Sequence, residues 1–342
     1  MSVQVDEIVF AFALSFLTIS LIVLSIALIF LCRGKQPIKH EDDISSNYVK
    51  ISAKSVSFSD IDVATDGFNP RRVIGKGRIG TTYIGVLAMG ELVAVKGVHP
   101  WLVLSKASLG FQSTIKSLSL AQHCNIVPIM GFCEAPCERI ILTEFVGTMS
   151  LEFYLHQNVD GVSLLDWTKR LKIAVGVARG LEYLHEKMAP QVVHGCIKPS
   201  NILVDVKFCA KLCDYGLSFL SLKQEKMGLL GYVDEEYWEL GTQKGGGASK
   251  ESDVYGFGVV LLKLLSGRTN EGGLLVGWVL PLIKDVKFSE FWDKRIQTPC
   301  NMKVLVKLAK VASTCVGNSR KTRPTISQIV SILDSLDFDL CE

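Results

Sequence analysis

Gly75-Lys76-Gly77-Arg78-Ile79-Gly80 opens the stretch that decides the fold, and Leu92-Val93-Ala94-Val95-Lys96 closes it. A G-x-G-x-x-G run alone is ambiguous, because dinucleotide-binding folds carry it too. In those folds the loop opens a helix. Here Tyr83 to Leu87 and Leu92 to Lys96 read as two strands on either side of a turn at Met89-Gly90-Glu91, so a hairpin follows instead. A glycine loop that leads into a hairpin is the geometry of a cover over phosphates, where missing side chains let backbone amides approach an anion. Taken alone, a plain glycine-rich turn accounts for the run equally well.

Working outward, Arg71 to Val95 reads as strands, Ser105 to Gln122 as a helix and Ile140 to Phe145 as a further strand. Helical periodicity then dominates. Leu171, Ala174, Val175, Ala178, Leu181 and Leu184 recur at helix spacing, with Asp166 as N-cap. Val254 to Leu265 reads as a buried apolar helix. Met302 to Cys315 and Ile326 to Leu336 read as two closing helices, and Gly245-Gly246-Gly247 as a surface loop. Strands come first and helices after, which predicts an α+β chain with a small β-rich lobe before a larger helical one.

The chain has 342 residues, a net charge of +3 and 10 cysteines. Near-balanced charge implies no nucleic-acid partner. The cysteines form neither a disulfide framework nor a zinc-type cluster; Cys133 and Cys137 come closest, without a second pair. Ile8 to Leu31 carries no charge and is long enough for a hydrocarbon core of about 30 Å. Asp6 and Glu7 stand where a signal peptide needs basic residues. Arg33, Lys35 and Lys39 follow, which predicts a cytosolic C-terminal bulk by the positive-inside rule. The expected layout is an outer tail at 1–7, a single transmembrane helix at 8–32 in contact with membrane lipid, and a serine-rich juxtamembrane linker at 33–68. The folded domain follows at 69–338, with its first lobe to about 146. The expected location is the plasma membrane.

Four further stretches follow the glycine loop in order. Val93-Ala94-Val95-Lys96 is similar to V-A-I-K, and His194-Gly195-Cys196-Ile197-Lys198-Pro199-Ser200-Asn201 to H-R-D-L-x-x-x-N. Asp214-Tyr215-Gly216 is similar to D-F-G, and Gly231-Tyr232-Val233-Asp234-Glu235-Glu236 stands where A-P-E closes the activation segment. Together the stretches resemble the plant receptor-like protein kinases of the Ser/Thr type. Ala64-Thr65-Asp66-Gly67-Phe68, Gly180-Leu181-Glu182-Tyr183-Leu184-His185 and Ser252-Asp253-Val254-Tyr255-Gly256-Phe257-Gly258 extend the resemblance to roughly Ser57–Asp337. It implies a bilobal protein-kinase-like fold, here preceded by the transmembrane helix. It implies nucleotide contacts at Gly75, Gly77, Gly80, Ala94, Lys96 and Lys198, with Mg²⁺ held by Asn201 and Asp214. Asp253 is implied as a structural residue, and Arg323 as the partner of Glu236.

Two departures remove positioning groups. Cys196 stands where the resemblance places the aspartate that orients the substrate hydroxyl. A thiol of pKa about 8.5 is mostly neutral at pH 7 and accepts hydrogen bonds poorly. No Asp or Glu lies between Glu186 and Asp205 to replace it. Thr114 stands at the position of the glutamate that should pair with Lys96, and no acid lies between Glu91 and Glu134, so no register shift restores that pair. Gly195 replaces the arginine that would hold a phosphorylated activation loop, whose Ser/Thr acceptors before Gly231 are Ser218 and Ser221. Thr82 and Glu235 replace the usual valine and proline. No catalytic set is intact. The expected function is a receptor-like pseudokinase, a scaffold or allosteric partner of active receptor-like kinases or cytosolic signalling proteins, with weak ATP and Mg²⁺ binding. The alternative is a weakly active Ser/Thr kinase.

Overall fold

The computed structural model describes residues 52–104, 109–156, 158–159, 162–220, 228–238, 247–268, 272–299 and 301–336. A six-stranded sheet comes first, built from β1 (Lys54–Ser55), β2 (Val73–Lys76), β3 (Gly80–Val86), β4 (Leu92–Val98), β5 (Ile129–Ala135) and β6 (Glu138–Glu144) in the order β1-β5-β6-β4-β3-β2. The hairpin expected around that turn is present: Val86 pairs with Leu92 and Gly80 with Val98 in antiparallel register. Alternation along β4 sends Val93 and Val95 to one face, where they join Ile61, Ile140 and Leu142. The intervening Ala94 and Lys96 point to the other face, towards the helical lobe.

Ile61 belongs to α1 (Phe58–Thr65), a helix inside the span expected to be linker. Ser57 is its N-cap and accepts from the Asp60 amide at 3.1 Å. Ile61 and Ala64, three residues apart, are buried against the sheet. Serine-rich composition concealed a capped helix, and the folded lobe begins at β1 rather than at residue 69. Helix α2 (Pro100–Leu104) and α3 (Phe111–Leu118) follow β4. The helix expected over Ser105–Gln122 is shorter within the described residues. The Ser119 hydroxyl donates to the Lys116 carbonyl and accepts from the Ala53 amide at 2.8 Å, tying the end of α3 to the N-terminal segment.

The second lobe contains α4 (Leu151–His156), α5 (Trp167–Glu182), the strand pair β7 (Ile202–Val204) and β8 (Ala210–Leu212), α6 (Lys250–Ser266), α7 (Gly272–Lys284), α8 (Lys303–Cys315) and α9 (Ile326–Asp334). Asp166 caps α5, accepting from the Lys169 amide at 2.8 Å. Burial of Phe257, Val260, Leu261 and Leu264 makes α6 the core of this lobe. Ionic struts lie inside it: Arg170 pairs with Asp293, both side chains at most 2% exposed. Burial pulls the Arg170 guanidinium down to about 10.

The expected fold class needs one correction. The bilobal fold is present, but among the described residues no helix is long and apolar enough to cross a membrane. The apolar helices described, α6 above all, spend their apolar surface on the protein core. The span expected over 8–32 lies outside the described residues, as does most of the Gly245–Gly247 loop, and the transmembrane helix is withdrawn from the fold class.

Candidate functional site

Strand pairing positions the first components. Lys96 stands opposite Thr82 on β3 and Ile141 on β6, in the middle of the sheet. Its ammonium forms an ion pair with Asp214, the first residue of Asp214-Tyr215-Gly216, across the two lobes. Burial pushes the Asp214 carboxyl up, but the Lys96 charge and hydrogen bond outweigh it and hold the group below the usual carboxylate range. Asp214 sits at φ +62°, a left-handed conformation costly for a residue with a Cβ. Thr114 lies half-buried on α3, which presents no carboxylate at all. Lys96 therefore takes the partner that remains.

The glycine loop is closed on itself. The Gly77 amide donates to the Gly80 carbonyl at 3.0 Å. A Cβ on Gly80 would stand 2.0 Å from the Gly97 carbonyl oxygen, so strand contact requires this glycine whatever ligand is present. Gly75 and Gly77 are different: a Cβ there meets nothing closer than 3.9 Å.

Asp253, buried at the start of α6, anchors the 194–201 loop. Its carboxylate accepts from the amides of His194 at 2.7 Å and Gly195 at 2.8 Å, and His185 Nε2 lies 2.9 Å from it. Cys196 follows in a buried apolar cluster with Leu229 and Val233, against which Tyr237 and Trp238 pack. Burial pushes its thiol pKa up, so the thiol stays neutral. Lys198 Nζ donates to the Gly228 carbonyl at 3.2 Å. Asn201 donates through its amide nitrogen to the Cys196 carbonyl at 3.0 Å, which leaves its side-chain oxygen as a ligand atom, and its backbone carbonyl accepts from the amide of Cys213, the residue before Asp214. An amide and a carboxylate oxygen are the hard ligands that suit Mg²⁺. The donor set therefore fits the ion, although Asp214 is already engaged by Lys96.

The closing contact of the activation segment differs from the expectation. Arg323 pairs with Asp234, not with Glu236. Arg320 grips the same carboxylate with Nε and Nη2, each at 2.7 Å. Among the described residues Glu236 accepts the Arg320 amide at 3.1 Å. The shorter Asp234 caps the 3₁₀ turn Glu235–Trp238, accepting from the Tyr237 amide at 3.1 Å, and this turns its carboxylate inward. Burial raises its pKa, but the two arginines hold it below the usual range. An aspartate three residues before the Tyr237 amide is a cap signature, so Asp234 was findable from the sequence. Arg320, and His99 with its ring 3.0 Å from the Gly77 carbonyl oxygen, carry no comparable signal.

The chain as a whole is similar to known proteins. The family model described as protein tyrosine and serine/threonine kinase matches residues 68–333. The chain is 34% identical over 295 residues to the proline-rich receptor-like protein kinase PERK2 of Arabidopsis thaliana, covering 81% of this chain and 40% of that one. It is 35% identical over 296 residues to phytosulfokine receptor 1 of the same plant, covering 83% of this chain and 29% of the relative. The chain thus spans less than half the length of these two relatives. Among solved structures it is similar to the pseudokinase domain of BIR2, an immune regulator of the RLK/Pelle family, with a TM-score of 0.70, 32% identity, and 84% and 91% of the two chains covered. The chain belongs to the protein tyrosine and serine/threonine kinase family and is homologous to the receptor-like kinases of Arabidopsis thaliana.

Proposed function

We propose that this chain is a receptor-like pseudokinase, which acts in signalling by presenting its lobes to another kinase or signalling protein and transfers negligible phosphate itself. The observation that carries this reading is the position of Cys196. Where a carboxylate should orient a substrate hydroxyl, a neutral thiol lies packed under Leu229 and Val233 of the chain's own activation segment. General-base participation is typically worth about 10²–10⁴-fold in rate. The lack of a carboxylate on α3 to pair with Lys96 supports the same reading, as does the likeness to a pseudokinase domain.

Nucleotide binding is the weaker part of the proposal. Lys96, Asn201, Asp214 and Lys198 are the residues that would hold Mg·ATP, whose phosphates would supply charge to neutralise. Each of the four is engaged within the protein, so binding has contacts to displace. The test is radiolabel transfer from ATP to a generic protein substrate by the natural chain beside Asp214→Ala. Equal, background-level transfer is expected. Transfer well above that of the variant would establish the second reading, a slow Ser/Thr kinase, which the retained Asp214, Asn201 and Lys198 favour.

A further inference from the structure

We infer that His99 is a positioning residue that clamps the glycine-rich loop shut and holds nucleotide affinity down. The inference rests on the nucleotide-binding part of the reading above. His99 is the first residue after β4, directly behind the close contact of Gly80 with Gly97. Two of its groups grip the loop. Its amide donates to the Ile79 carbonyl at 2.9 Å. Its ring Nε2 lies 3.0 Å from the Gly77 carbonyl oxygen. A carbonyl only accepts, so Nε2 carries the proton and donates. The imidazole is held in place by Trp101, which stacks on it with centroids 4.1 Å apart and planes 12° from parallel.

The consequence lies at Gly77. Its carbonyl is taken by His99 and its amide by the Gly80 carbonyl, so both peptide planes flanking this Cα are fixed. Loops of this kind bind phosphate through backbone amides, which must be turned outward. Here the Gly77 amide is held on an internal acceptor, the Gly80 carbonyl, and the clamp fixes the next peptide in line with it. The Gly77–Gly80 bond continues the β2–β3 pairing past Lys76 and Thr81, so the histidine adds its hold on the peptide that follows; a Cβ on Gly77 would meet no atom closer than 3.9 Å, so the residue has room to move once the histidine lets go.

The test uses the full chain in natural form, as His99→Ala and as His99→Gln, whose side-chain amide can donate in place of Nε2. Hydrogen exchange at the Gly77 amide is followed without nucleotide, and Mg·ATP is titrated into each form. His99 is only half-buried, so the alanine variant is expected to fold. It should exchange faster at Gly77 by about three- to tenfold, the worth of one such hydrogen bond, and bind Mg·ATP tighter by a similar factor. Gln should return both values towards natural. Unchanged exchange in the alanine variant overturns the clamp. Faster exchange with unchanged or weaker Mg·ATP binding overturns its role in nucleotide access. If no form binds Mg·ATP, the nucleotide part of the proposed function falls and takes that role with it, while the exchange rates still decide separately whether His99 holds the loop.

Discussion

Ser218 of the activation segment lies against Gly195 of the catalytic loop so closely that a Cβ on Gly195 would come within 2.9 Å of the Ser218 Cβ and 3.1 Å of its Oγ. The missing arginine is therefore more than a lost charge. Its absence lets the segment settle on the loop, where Lys198 meets Gly228 and Cys196 meets Leu229.

Restoring the arginine should open this contact. Gly195 sits at φ +84°, a conformation that costs other residues about 1–3 kcal/mol. Gly195→Arg is expected to lower unfolding stability by at least that amount and to speed hydrogen exchange over residues 216–220 and 228–233. Chemical denaturation and exchange mass spectrometry measure both. Unchanged exchange would mean that Ser218 does not depend on the glycine.

The Asp234 cluster makes a second prediction, in contrast with Glu236. The Asp234 and Arg323 side chains are 3% and 1% exposed. Removing one partner of a buried pair costs about 3–5 kcal/mol. Asp234→Ala should lose that much stability, while Glu236→Ala should lose about 1 kcal/mol or less. Equal losses would restore Glu236 as the main partner of the arginines.

Acid should erase the first of those differences. The folded-state pKa of Asp234 is depressed below the unfolded value of about 3.9. Its stabilising contribution is therefore full above about pH 4 and is lost as pH falls through the folded-state value. The stability gap between the natural chain and Asp234→Asn should hold from pH 7 to about pH 5 and shrink below pH 4. Asp293, held low by Arg295 and Arg170 against the opposing effect of burial, should add to the acid sensitivity of both forms equally. Urea unfolding across this range measures the gap.

Replacing Cys196 with aspartate should not by itself make an enzyme. The position is 8% exposed and apolar on the side of Leu229 and Val233; of the charges around it Lys198 and Arg78 weigh more than Asp214 and Asp253, but Lys198 is already engaged with the Gly228 carbonyl. A buried carboxyl without a partner costs about 1–3 kcal/mol or more. Cys196→Asp is expected to lower stability by that order and to leave phosphate transfer at background, because Lys96 still lacks a partner on α3. Adding Thr114→Glu supplies that partner, and the double variant should exceed the product of the single gains, since both groups serve one transition state. Transfer restored by Cys196→Asp alone would show that Lys96 needs no such partner.

Mg·ATP should raise the melting temperature slightly. Less stabilisation is expected without Mg²⁺, and none in Asp214→Ala, which removes both the implied metal ligand and the Lys96 partner. A thermal shift that ignores Asp214 would place any nucleotide elsewhere.

Much of this protein was legible from residue order. The glycine run, Val93 to Lys96, the 194–201 loop and Asp214-Tyr215-Gly216 are local motifs, each bound to one strand or turn, so their succession alone points to a bilobal kinase-like fold. The acid-free runs around Cys196 and Thr114 were equally plain, because a carboxylate absent from such a run cannot be supplied by local rearrangement. Ser57 hid its capping role inside a serine-rich stretch, since composition cannot tell a spacer from a helix whose burial depends on a distant sheet. The tertiary structure decided the partners. Lys96 meets Asp214, Arg323 meets Asp234 and His99 meets Gly77 through pairings that bring together residues 118, 89 and 22 positions apart. Such contacts depend on side-chain length and backbone direction at both ends, and a linear motif specifies only one end at a time.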